Sequence, residues 1–313
     1  MITADRRLAS TIFKVLAVPI GLFGVPQLLQ AQEEQSLAVN GTTLQYVQQG
    51  TGEPVVLVHG AVSDLRIWGG QVPALMEAGF QPIAYTLRYF GTEPWQDKGE
   101  LFSAATHADD LAAFVEALGL GPVHVVRWSL GGEVALLATL EHPELFRSRS
   151  LYEPAPALVL ATEAGKAEWA KVNEEIFAAF GPLFAALEAG NEDLAVGHMV
   201  DIVWETPGVF ATFSPEDQRV SLDSARTVAP MFNAPFVEVT CEEMAASKVP
   251  TLLMVGEDTT LRYFTFAVEE IGRCMSTDQT VSIPDVNHNG PVKGADAVNA
   301  EIIKFLSAHQ AAD

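Results

Sequence analysis

A layered α/β protein with a mostly parallel sheet, helices on both faces and one helical insertion is the fold class this sequence predicts. Three observations lead there. Short unbroken apolar runs, such as residues 55–58 and 123–126, mark strands buried on both faces. Helical patterns alternate with those runs, and crossover helices are what parallel strands need. Between residues 163 and 204 the alternation stops, and no further strand is read until Thr251.

Taken in order, residues 37–39 and 43–48 flank Asn40-Gly41, a hairpin signal. Buried strands follow at 55–58, 83–85 and 123–126, with further strand candidates at 150–152, 251–255 and 280–283. Helices are expected at 71–78, 107–118, 132–140 and 297–308, and within the insertion at 163–189 and 192–204. Residues 37–154 and 236–308 then form the core, and residues 155–235 a helical cap over a ligand cleft.

Of the 313 residues, 40 are Asp or Glu and 18 Lys or Arg, a formal charge of −22. Such a surface repels phosphate backbones and anionic lipid, which argues against a nucleic-acid partner. Arg6-Arg7 precedes an apolar stretch at 15–29, then Ala31 and the polar run Gln32-Glu33-Glu34-Gln35. A positive start, a short apolar centre and a small residue before a polar tract predict an export signal over residues 1–31. Pro19 and Pro26 make that stretch too broken for a stable membrane span. Cys241 and Cys274 are too few for a disulfide scaffold or a Cys-based zinc site. They are expected as two unpaired buried thiols, with one bridge between them as the alternative in an oxidising compartment.

The chemistry concentrates at strand ends. Ser129 follows the run 123–126 and precedes Gly131-Gly132, so a tight strand–turn–helix lifts its hydroxyl into the cleft. Serine is a poor nucleophile alone and needs a base. His288, in the polar loop Asp285-Val286-Asn287-His288-Asn289-Gly290 after the last strand, is placed to be that base. The strand at 55–58 ends in His59-Gly60-Ala61, where exposed backbone amides can bind a developing oxyanion. The donors are read as the amides of Ala61 and Leu130, and His59 as a residue that holds the loop.

On these residues the chain resembles the α/β-hydrolases, of the cap-bearing ester and lactone hydrolase type, over residues 37–306. The resemblance implies an eight-stranded sheet, a serine–acid–histidine triad, no cofactor, and a small-molecule ester or lactone as substrate. A nucleophilic Ser129, where related dehalogenases and epoxide hydrolases carry Asp, argues against those reactions. Arg127 departs from the glycine that usually opens the elbow motif. Two acids compete for the triad. Asp258 lies past the seventh strand, the commonest family position, but one residue early, since Thr259 holds the third place after Gly256. Glu153 ends the sixth strand, as in the zearalenone-type lactonases, and is preferred. Trp128, Trp68, Arg88 and Tyr89 are candidates to contact an apolar substrate, although a salt bridge is the better reading of Arg88. Cofactor-free haloperoxidases or perhydrolases and carbon–carbon bond hydrolases are similar in fold and remain alternatives. An inactive ligand-binding relative is the alternative of another class.

Overall fold

The computed structural model describes residues 34–155, 158–159, 163–235, 237–275 and 279–311. The segment read as an export signal, residues 1–31, lies outside the described residues. The sheet opens with β1 (Gln35–Val39), β2 (Thr42–Gln48), β3 (Glu53–Val58), β4 (Phe80–Tyr85), β5 (Val123–Trp128) and β6 (Phe146–Tyr152). Two short strands, β7 (Leu158–Val159) and β8 (Glu238–Val239), pair with each other on either side of the insertion. The main sheet then resumes with β9 (Thr251–Gly256) and β10 (Thr280–Ile283). Its eight strands lie in the order β1-β2-β4-β3-β5-β6-β9-β10. β2 is antiparallel to both β1 and β4, and the other pairings are parallel. This is the α/β architecture expected.

Period-two alternation divides the interior into two layers. Val56 and Val58 face one core with α2 (Ala104–Leu118), α3 (Gly131–Glu141) and α10 (Arg262–Met275). Val55 and Leu57 face the other, with α1 (Gln71–Glu77), α12 (Ala295–Ser307) and much of the insertion. Helix α10 is absent from the sequence reading, although Phe264, Val268 and Ile271 bury one of its faces at helical spacing.

The insertion comprises α4 (Glu163–Ala179), α5 (Gly181–Glu188), α6 (Glu192–Val203), α7 (Pro215–Leu222) and α8 (Val228–Asn233). The single helix expected at 163–189 is in fact two. Phe180 leaves helical geometry and Pro182 sits in the first turn of α5, where its missing N–H is harmless. Polar ties fasten the insertion to the sheet. Arg66 bridges core Asp64 and Asp223, Ser224 Oγ donates to Ser63 O, and Asn287 Nδ2 donates to Trp204 O.

The expectation of unpaired thiols is corrected here. Cys241, opening α9 (Cys241–Ala246), is bonded to Cys274 near the end of α10. The two helices pack side by side, with the two Cα atoms 4.8 Å apart. Spacing along the chain, 33 residues, could not reveal that proximity. Among the described residues no helix is long and apolar enough to cross a membrane.

Candidate active site

β5 delivers its last residues into a sharp turn at the C-terminal end of the sheet. Ser129 there has φ of 55°, in the left-handed region that a side chain enters only at a cost. Its amide donates to Tyr152 O (3.2 Å), and its carbonyl accepts from Gly132 N–H (2.6 Å) and Ala155 N–H (3.0 Å). Gly131 is required by close approach, because a Cβ there would lie 2.6 Å from the carbonyl oxygens of Val58 and His59. Arg127 is accommodated by turning inward, where it is fully buried and its Nη1 donates to Gly131 O (3.4 Å). The absent Cβ of Gly132 leaves room for that guanidinium and for Pro154. Burial, with Arg149 nearby, pushes the Arg127 pKa well down.

β3 brings the second turn against this one. The position of a Cβ on Gly60 would be 3.1 Å from Ser129 Cβ. His59 is buried with its Nε2 accepting from Leu87 N–H (3.0 Å) and its Nδ1 donating to Gly60 O (2.7 Å). Both ring nitrogens are therefore committed to backbone, and burial lowers the pKa to about 4. Ala61 and Leu130 both line the cavity with Ser129. Among the described residues no acceptor is found for either amide.

His288 is held from four sides. Its Nδ1 donates to Glu153 Oε2 (2.8 Å), which leaves Nε2 free to accept. Phe264 stacks flat on the ring at 3.7 Å, and Trp128 Nε1 donates to the His288 carbonyl (2.9 Å). Tyr152 OH donates to Asn287 O (2.6 Å), fixing the loop one residue earlier. Glu153 is fully buried with φ of 39°. Its Oε1 accepts from Gly256 N–H (2.8 Å) and from the Thr259 hydroxyl.

Asp258, the competing acid, is exposed, and its backbone N–H donates to Val286 O. Its neighbour Thr259 reaches the triad region instead. Of the expected substrate contacts, Trp128 lines the cavity that holds Ser129 and His288. The other three do not. Trp68 is buried in the core, Tyr89 OH donates to Asp97, and Arg88 forms a buried two-pronged pair with Asp110, both bonds 2.7 Å. Thr259, Phe264 and Glu133 were not singled out from sequence. The signal for Thr259 was present, since it occupies the place where many relatives carry the acid.

Comparison with known proteins places the chain by sequence and fold. Residues 53–261 match the family described as the alpha/beta hydrolase fold. A non-heme haloperoxidase of Rhodococcus erythropolis is 24% identical over 286 residues, covering 87% of this chain and 98% of its own. A bifunctional esterase/perhydrolase of Acinetobacter calcoaceticus is 23% identical over 268 residues, covering 81% and 91%. Among solved structures, the enol-lactonase of Burkholderia xenovorans LB400 superimposes with a TM-score of 0.65 at 19% identity, covering 87% of this chain and all of that one. The chain belongs to the α/β-hydrolase family.

Proposed function

We propose that this chain is a serine hydrolase that cleaves a carboxylic ester or lactone of a largely apolar small molecule. The observation that carries this reading is the bond from His288 Nδ1 to buried Glu153, with the same imidazole and Ser129 lining one apolar cavity. Ser129 Oγ attacks the carbonyl carbon while His288 Nε2 takes its proton. The resulting oxyanion is bound by the amides of Ala61 and Leu130. Collapse of the tetrahedral species breaks the ester C–O bond, and His288 returns the proton to the leaving alkoxide. Water then attacks the acyl-enzyme, giving its proton to His288 and restoring Ser129. Glu153 keeps the imidazole in the required tautomer and stabilises its cation.

The test is fluorophosphonate labelling of the folded protein, followed by a panel of p-nitrophenyl esters and lactones. Labelling that is lost in Ser129→Ala, with turnover on the panel, is the expected result. A folded protein that neither labels nor turns over any ester is instead a binding relative. The haloperoxidase and esterase/perhydrolase relatives favour a second reading, transfer of the acyl group to hydrogen peroxide. Bromination of monochlorodimedone in the presence of bromide, a carboxylic acid and hydrogen peroxide, faster than ester hydrolysis, would establish it.

A further inference from the structure

The cavity beside Ser129 is lined mainly by aromatic and aliphatic side chains, and its polar exceptions are few. Ser63 and Ser221 offer single short hydroxyls. His107 packs against the rings of Phe90 and Phe102, with burial lowering its pKa to about 3. That leaves Glu133, Asn173 and Tyr263, which come from three different helices.

All three line the chamber that holds Ser129 and His288. Glu133 lies on α3 one turn beyond Leu130, so it faces the cleft just behind the elbow. Tyr263 opens α10 next to Phe264, the ring stacked on His288. Its own ring meets Trp169 of α4 at 6.0 Å, and Asn173 stands one helical turn after Trp169. Burial raises the pKa of the Tyr263 phenol, and the nearby Glu133 carboxylate adds to the rise. Asn173 Oδ1 is buried with no hydrogen-bond partner. A buried acceptor left without a partner is destabilising unless a ligand satisfies it.

We propose that Glu133, Asn173 and Tyr263 form a polar subsite that receives an alcohol hydroxyl carried on the otherwise apolar substrate. The hydroxyl donates to Asn173 Oδ1 and accepts from Glu133 or Tyr263. An ammonium group is the wrong occupant on two grounds. The Arg127 guanidinium already acts on the same carboxyl, and burial lifts the Glu133 pKa to about 8, which disfavours the carboxylate an ammonium would need. This inference rests on the ester and lactone reading for its substrate but not for its binding site, and the experiment separates the two.

Binding is measured in Ser129→Ala by tryptophan fluorescence, which needs no turnover. Two ester pairs are compared in which hydroxyl replaces methyl at constant length. One is ethyl 6-hydroxyhexanoate against ethyl heptanoate, and the other 5-hydroxypentyl acetate against hexyl acetate. The expected result is a preference of about tenfold or more for the hydroxyl member of at least one pair, the size of one well-made hydrogen bond. Glu133→Leu and Asn173→Leu in that background should abolish the preference, whereas Glu133→Gln should keep it because an amide mimics the neutral acid. No preference in either pair, or one that survives both leucine substitutions, overturns the subsite. Hydrolysis of p-nitrophenyl acetate by the Ser129 protein reports separately on the proposed chemistry. Its failure with the hydroxyl preference intact would refute the hydrolase reading alone.

Discussion

Thr259 stands where many related chains place a triad acid, and it serves the carboxylate that stands elsewhere, donating its hydroxyl proton to Glu153 Oε1. Glu153 retains Gly256 N–H as a second donor on that oxygen, so loss of the hydroxyl should loosen the carboxylate without removing it. Thr259→Val should lower kcat about tenfold with little change in KM, and Thr259→Ser should restore it. The assignment of the acid itself is tested by comparing Glu153→Gln with Asp258→Asn, folding being checked by circular dichroism. The first should lose several orders of magnitude in kcat and the second almost nothing, because Asp258 faces solvent. At this scale the sequence was informative where a residue ends a strand ahead of a turn, with glycines following for Ser129 and His59 and a proline for Glu153. Glu133 was not legible, because a glutamate in the first turn of a helix ordinarily faces water. Trp68 misled for the opposite reason, its large ring being equally fit for a cleft or a core.

One of the elements that hold the histidine loop comes from late in the chain. Helix α10 supplies Phe264 to stack on His288, and the bond from Cys274 to Cys241 ties that helix to α9. A bridge closing a loop of 33 residues stabilises by about 3–4 kcal/mol in the chain-entropy account. Reduction, or the Cys241→Ser variant, should therefore lower Tm by several degrees in thermal denaturation. An unchanged Tm would mean the thiols are not joined in solution. The central strands β3, β5 and β9 were readable because each carries a short apolar run buried on both sides. The α10 pattern escaped because Glu269, Glu270 and Arg273 interrupt its apolar residues, although they fall on the helical period. Pairing of the cysteines depends on how two helices pack, which linear spacing does not encode.

For the molecule as a whole, buried ionisable groups predict how stability responds to pH. His59 and His107 have folded pKa values of about 4 and about 3, below the ordinary 6.5. The unfolded chain thus binds protons that the native one refuses, and stability should fall as pH drops from about 6.5 toward 3. Glu133 acts in the other direction. Its folded pKa of about 8 exceeds the ordinary 4.5, so its contribution declines as pH rises between those values. Urea denaturation across pH should show greatest stability near pH 6.5, with Glu133→Gln flattening the decline toward pH 8. His107→Phe should weaken the acid limb. We also propose that residues 1–31 are removed on export, a reading in keeping with a disulfide, which persists in oxidising compartments. The intact mass of native protein should then correspond to a chain beginning near Gln32. The left-handed backbone at Ser129 and Glu153 has a consequence over evolutionary time. Each such side chain costs about 1–3 kcal/mol that glycine would relieve. At Glu153 that relief is outweighed, because its loss would leave the buried donors of Gly256, Thr259 and His288 without an acceptor. A lineage freed from selection for turnover could therefore accept glycine at Ser129 at little cost, and exchange there would be the first mark of its change of occupation.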